Sequence, residues 1–433
     1  MSKRPKIIVI GAGFGGLQTA LSLGGAPAEV WLVDRHAYHT FVPLLYQVAT
    51  ATLVPELIAL PVQTLTRRHP NLRFVHAEVQ AIDPRHQRVE TNRGSLDYDY
   101  LVLATGSQLR LHTLPGAEDY ALPLGTLDDA IQLRNHILGC FEQAAWESNP
   151  HKQQELLSFT IVGGGTTGVE MAGALVELMQ GTLRRDYPHL DPRLIRVTLL
   201  HTGLTLLAEF PRHLGQYTLK RLRKMGVTVH LGTRVEAITA TAVHLQEGTQ
   251  IHTATVIWAA GVTPVVPISA PTLQRSPSQR LQVRPTLQLI DHPEIYAIGD
   301  VAEVQGRGQP LAGVAPVALQ QGVATACNLR RQMAQRPLRR FRYLNKGRLA
   351  IIGGYAGIGQ IGPIPLVGVI PWLMWLMVHW VYLPGYLSRL QVLLTWINAY
   401  LWGDRTVRQH LGASTSPQPD STAVADASLP LLD

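Results

Sequence analysis

Two glycine-rich turns, each set directly after a run of β-branched residues, constrain this chain more than any other feature. The first lies in Lys6 to Gly16, KIIVIGAGFGG, and the second in Phe159 to Gly168, FTIVGGGTTG. A strand, then G-x-G-x-x-G, then a helix is the opening of a βαβ unit that seats a pyrophosphate. The first glycine makes the tight turn, the second lets the backbone approach the phosphates, and the third lets helix pack on strand. The candidate binding residues are therefore Gly11, Gly13 and Gly16 with Phe14 and Gly15 between them, and Gly163, Gly165 and Gly168 with Thr166. Two such turns in one chain predict an α/β protein with two Rossmann-like dinucleotide-binding domains.

Other buried-strand signals end the same way. Tyr100 to Ala104, Ala254 to Trp258 and Ile295 to Ile298 run into Thr105-Gly106, Ala260-Gly261 and Gly299-Asp300. Strands that stop at a glycine beside a polar residue suit ligand binding at the carboxyl edge of a parallel sheet. Two positions distinguish the nucleotide sites. Asp34 ends VWLVD, where a carboxylate accepts hydrogen bonds from an adenosine ribose. The matching residue after IRVTLL is His201, which lacks the negative charge that repels a 2′-phosphate. The second site is thus open to NADPH as well as NADH. Glu170, two residues past Gly168, is read as lying in the first turn of its helix. There the dipole favours a carboxylate, and the residue is a candidate for positioning and proton handling.

Composition removes several classes. The chain has 433 residues, too many for one ordinary core, and is 46% hydrophobic, which rules out disorder over most of its length. Its two cysteines, Cys140 and Cys327, form no CxxC pair, and the seventeen histidines show no ligand spacing. A disulfide framework, a thiol redox pair and a metal site are not expected. The short apolar run Ile7 to Ile10 leads straight into a glycine turn and reads as a strand, not as a signal peptide.

The C-terminal third changes character. Arg330 to Arg348 holds eight Lys and Arg and no acid. From Pro363 to Trp402 the sole charged residue is Arg389, and five of the eight tryptophans fall there. Pro384-Gly385 breaks this stretch into two helical pieces, the first too short to cross a bilayer core of about 30 Å. Two helices lying in an anionic membrane surface, with tryptophan at the wet boundary, are the expected arrangement. The basic run has no nucleic-acid-binding fold beside it, so nucleic acid is not expected as a partner. Gly412 to Asp433 reads as a disordered tail.

Taken together, these segments resemble the type II NADH:quinone dehydrogenases. The resemblance rests on DRHAYHTFVPLLYQVA from Asp34, LATG from Leu103, GGGTTGVE from Gly163, WAAGV from Trp258 and AIGD from Ala297. It rests also on VAPVALQQG from Val314 and FRYLNKG from Phe341. It implies a single-chain enzyme that passes two electrons from NADH or NADPH, through FAD, to a membrane quinone without pumping protons. It implies FAD contacts at Gly11, Gly13, Gly16, Asp34, Val79, Ala104, Thr105, Gly106, Asp300, Ala315 and Lys346. Glu170 and Lys346 would act in catalysis, and Gln320 and Gln321 would border the quinone. The division implied is 1–120 and 276–355 for FAD, 121–275 for the nicotinamide nucleotide, 356–411 for membrane helices and 412–433 for the tail. The protein would sit monotopically on the cytoplasmic face of a membrane, with a homodimer left open. An NADPH-dependent demethylnaphthoquinone reductase, a sulfide:quinone oxidoreductase and a low-turnover redox sensor are the rivals. One departure stands out: after Ile351-Ile352-Gly353 such enzymes often carry Arg, and this chain has Gly354.

Overall fold

The structure is a computed structural model that describes residues 4–111, 114–266, 273–306, 308–403 and 405. Its frame is a pair of five-stranded parallel sheets of the same order. In the first, β1 (Lys6–Ile10) leads through helix α1 (Phe14–Ser22) to β2 (Glu29–Asp34), with β3 (Leu72–His76) outside it and β4 (Tyr100–Leu103) on the other flank. The second repeats this with β5 (Ala121–Pro123), helix α2 (Leu127–Trp146), β6 (Ser158–Val162), α3 (Thr166–Glu177), β7 (Arg196–His201), α4 (Arg212–Lys224), β8 (Val227–Leu231) and β9 (Thr255–Trp258). Its order is β5-β9-β6-β7-β8. The chain then returns to the first sheet, where β10 (Ile295–Ala297) pairs parallel with β4. The order there is β10-β4-β1-β2-β3, so both glycine turns leave a central strand.

The strands are continuous apolar runs because both faces of each sheet are covered. Ile7, Ile8 and Val9 are fully buried, as are Leu32 and Val33, and the register sets Ile10 beside Val33 on one side and Leu103 on the other. Helix α5 (Ala315–Met333) lies against α1 at close range: a Cβ on Gly322 would meet the carbonyl of Gly15 at 2.6 Å.

Among several smaller sheets, one antiparallel sheet has no counterpart in the sequence-based expectations: β11 (Arg348–Gly353), β12 (Ala356–Ile361) and β13 (Ile364–Gly368). It crosses α3 at Gly173, where any Cβ would collide with the carbonyl of Ile352. From it run helices α6 (Val369–Tyr382) and α7 (Tyr386–Leu401), split at Pro384-Gly385 as expected. None of the described helices is long and apolar enough to cross a membrane.

These two helices correct one expectation. Trp372, Trp375 and Trp396 do not sit at a wet boundary; they are buried, in one core with α2, α3 and the second sheet. The outer face is mainly aliphatic, with Ile370, Leu373, Met377, Leu387, Leu390 and Leu394 exposed, and Trp402, Tyr382 and Tyr386 are the aromatic residues that do reach the surface. The indoles are the largest side chains available, and burying them yields the most free energy per residue. The call on residues 412–433 lies outside the described residues.

Candidate active site

Each glycine turn shows the geometry its sequence predicts. Gly11 and Gly163 have φ of 100° and 123°, and a Cβ on either would collide with the next strand's exit, at Ala104 and Ala259 respectively. A Cβ on Gly16 would strike the Gly11 carbonyl, and one on Gly168 the Gly163 carbonyl. Gly13 and Gly165 face open space with nothing within 4 Å. That is the cradle a dinucleotide needs, with the outer glycines closing the turn and the middle one leaving room for phosphates at a helix N-terminus.

The residue at the end of the second strand clamps each turn. Asp34 Oδ2 accepts from the Ala12 amide at 2.6 Å and Oδ1 from the His36 amide at 2.8 Å. Burial pushes the Asp34 carboxyl up, but hydrogen bonds from His36 and Ala12 outweigh this and hold it below its ordinary value. His201 fills the same seat in the second turn: its Nδ1 accepts from the Gly164 amide at 3.2 Å. Accepting there requires the neutral ring, and burial lowers the His201 pKa, opposed by the Thr205 backbone and Glu209. Thr166 Oγ1 in the same turn donates to Glu209 at 2.6 Å. His39, which was not singled out from the sequence, holds the first turn from the other side, with Nδ1 2.8 Å from the Ala12 carbonyl.

Ala104 and Thr105 lie against Gly11 of the first turn. Thr105 Oγ1 donates to the Val265 carbonyl, and Ser107 donates to Asp300 at 2.7 Å. Gly313, just before Ala315 at the head of α5, has no room for a side chain because Asp300 lies there. Gly106 takes a φ of 69°. Val79 begins an edge strand paired with Thr91. Gln321 is not in an open pocket: it is buried, and its Oε1 accepts from the Gly299 amide at 2.6 Å, fixing the turn that carries Asp300. Gln320 pairs both ways with the Leu344 backbone, at 2.9 and 3.0 Å, while lining a cavity of about 730 Å³. Lys346 is exposed and donates to Tyr382 Oη at 3.2 Å.

Glu170 departs from the reading of its sequence position. It stands in the second turn of α3, not the first, and is buried. Loss of water raises its pKa to about 8, against weaker stabilisation by the Ile351 amide and the Trp375 indole, so burial overrides any help from the helix dipole. A row of rings runs from the first turn to this carboxyl. Phe14 meets Phe41 at 5.5 Å, Phe41 meets His379 at 6.1 Å, His379 stacks on Trp375 at 3.7 Å, and Trp375 meets Tyr46 at 6.1 Å. Gln47 donates to the Tyr46 hydroxyl at 3.0 Å and accepts from the Trp396 indole at 2.7 Å.

Gly354 also has its reason. With φ of 58° its amide donates to Glu177 at 2.5 Å and its carbonyl accepts from Arg221 at 2.5 Å. A Cβ would run into that guanidinium. A guanidinium therefore reaches this position from Arg221 on α4.

Cys327 is half-buried and lines the cavity that Phe14 of the first turn also lines. Cys140 is buried on α2, 3.4 Å from His136 Nε2, and burial pushes its thiol up to about 11. No group of three His, Cys, Asp or Glu that could hold a metal occurs among the described residues.

Comparison with known proteins agrees with this geometry. Residues 5–322 match the family described as pyridine nucleotide-disulphide oxidoreductase. The chain is 34% identical over 420 residues to the type II NADH:quinone oxidoreductase Ndh of Mycobacterium tuberculosis, covering 92% of this chain and 89% of that one. The chain belongs to that family, among its type II NADH:quinone oxidoreductases. A second type II enzyme, from Staphylococcus haemolyticus, is 29% identical over 83% of this chain and 90% of its own. NDH2 from Plasmodium falciparum, solved in complex with NADH, superposes with a TM-score of 0.85 at 19% identity, covering 95% of this chain and all of that one. The sulfide:quinone oxidoreductase of Aquifex aeolicus shares the type II fold less closely, with a TM-score of 0.69 at 17% identity.

Proposed function

We propose that this enzyme carries two electrons from NADH or NADPH, by way of bound FAD, to a membrane quinone, and moves no protons across the membrane. One observation carries the reading: two turns of the same construction, clamped by Asp34 and His201, each leave a middle glycine open for a dinucleotide. The first turn, with Asp34, Thr105, Asp300 and Ala315, would hold FAD, and the second would hold the nicotinamide nucleotide. Residues 1–120 and 276–355 form the flavin unit in this reading, and 121–275 the nucleotide unit. When bound, FAD supplies the redox chemistry, taking up a hydride equivalent and passing its electrons on.

The protein's own part is placement and proton supply. Glu170 keeps its proton at neutral pH, which suits a reaction that must protonate a reduced quinone. Gln321 positions the Asp300 turn, and Gln320 borders the quinone side. Lys346 ties the segment before β11 to α6 through Tyr382. The exposed aliphatic face of α6 and α7 would lie in a membrane surface, on the cytoplasmic side. Absence of a carboxylate at His201 favours a second reading, NADPH-linked reduction of a naphthoquinone in biosynthesis.

The experiment is anaerobic titration of the purified yellow protein with NADH and NADPH in turn, following flavin absorbance, then addition of quinone. Bleaching by either nucleotide and recovery with quinone is expected. A protein that binds no flavin, or one that bleaches and does not recover, sinks the proposal.

A further inference from the structure

We infer that the cavity between α3, β11 and the end of α7 is the water inlet through which Glu170 regains its proton, an inference that rests on the reading of Glu170 as proton donor above. Each turnover calls for such a route. NADH brings two electrons and one proton, a quinol carries two protons, and the second comes from water. A carboxyl that gives up that proton must be recharged, and Glu170 is buried. The cavity holds about 220 Å³, room for several waters, and polar groups line it: Tyr46, Gln47, Thr52, Glu177, Tyr400 and Arg405. Its outer end lies at exposed Tyr355 and Gly403, and its inner end at buried Tyr46, Ala174 and Ile351.

All three residues of the inner end adjoin Glu170. The Ile351 amide donates to Glu170 Oε1 at 3.3 Å. Ala174 stands one turn beyond Glu170 on α3, about 6 Å along the axis. Tyr46, on the short helix Leu45–Ala49, is acted on electrostatically by Glu170 and also by Tyr400 and Glu177, so it adjoins both the carboxyl and the cavity wall. Gln47 donates to the Tyr46 hydroxyl at 3.0 Å and is itself held by the Trp396 indole, so the hydroxyl's own proton is not spent on Gln47. Trp375 of α6 faces the Glu170 carboxyl, and Glu209 is the charged group that acts on it. The transfer is a relay: the Glu170 carboxylate takes the Tyr46 proton as a cavity water gives one to the Tyr46 oxygen. Arg405 and Glu177 pair at 3.0 Å in the wall, which makes it wettable without a net charge that would repel a proton.

The test uses the full-length, flavin-loaded protein. Infrared spectroscopy in heavy water follows the carboxylic-acid band of Glu170 near neutral pH, where the group is protonated; its loss in Glu170→Gln assigns it. Ala399→Leu, which plugs the cavity, and Tyr46→Phe, which keeps the shape but removes the hydroxyl, should each slow exchange of that proton about tenfold. In stopped flow, flavin reduction by NADH should stay as in wild type while reoxidation by quinone slows about tenfold. Formate, a small weak acid, should restore reoxidation in Tyr46→Phe. Exchange unchanged in both variants, no rescue by formate, or flavin reduction and reoxidation falling together in Tyr46→Phe would each overturn the inlet. Glu170→Gln tests the underlying reading separately: reoxidation as fast as in wild type would remove Glu170 as donor, whereas exchange in the resting protein reports on the inlet itself.

Discussion

His201 Nδ1 accepts from the Gly164 amide just as Asp34 Oδ2 accepts from the Ala12 amide, so a neutral ring does in one turn what a carboxylate does in the other. The backbone is clamped alike in both, but the clamping group itself is charged only in the first; in the second the nearby carboxylate is Glu209, which accepts from Thr166.

For that reason His201→Glu should keep the turn and restore the charge. We expect the NADPH/NADH ratio of kcat/KM to fall by about 1–3 kcal/mol in transition-state terms. Steady-state kinetics with both nucleotides checks this, and an unchanged ratio would show that the residue is indifferent to the 2′-phosphate. The wild type should also bind nucleotide less well as pH falls. Protonated Nδ1 turns from acceptor to donor against the Gly164 amide, and the depressed pKa places that loss below the ordinary histidine value.

Glu170 has the opposite sign. Its folded pKa of about 8 lies far above its unfolded value, so folding binds a proton there. The stability linked to it is fully present below about pH 4.5 and is lost as pH rises through 8. Glu170→Gln should therefore unfold at a higher temperature than wild type at pH 9 and lose that advantage near pH 5. Quinone reduction should drop while flavin reduction by NADH persists. Thermal melts at both pH values and stopped-flow half-reactions measure these effects.

Arg405 is buried and its guanidinium donates to the carbonyls of Thr50 and Ala174 and to Glu177. Arg405→Ala leaves those acceptors without their cation and should cost about 3–5 kcal/mol, the usual penalty for breaking a buried pair from one side. Urea unfolding would show it, and hydrogen exchange should rise first in the last turn of α7. Arg405→Lys should recover part of the loss.

On the outer face, Met377→Glu with Leu394→Glu should release the protein from neutral vesicles while leaving stability within about 0.5 kcal/mol, because both side chains are exposed. Co-sedimentation and melting temperature read the two effects. A double variant that still pellets would place the anchor elsewhere.

The parts that local chemistry decides were legible in the sequence. The glycine spacing forced the two turns, Asp34 and His201 fell at strand ends, and Pro384-Gly385 broke the apolar stretch where the structure breaks it. What failed depended on distant neighbours. The burial of Glu170 comes from β11 and α6, whose Ile351 and Trp375 lie far along the chain. Gln321 looked available until the Gly299 amide claimed it, and Gly354 made sense only once Arg221 arrived from α4. The direction of the tryptophans depended likewise on which side of α6 and α7 the second sheet's core would occupy.

The aliphatic outer side of α6 and α7 exists as soon as the polypeptide is complete, before any bilayer is within reach. In water such an exposed apolar surface favours association between copies. Self-association through it and the proposed lipid binding would use the same side chains and so would exclude one another. Delivery to the membrane is then an exchange of partners, and at high protein concentration detergent must stand in for the bilayer.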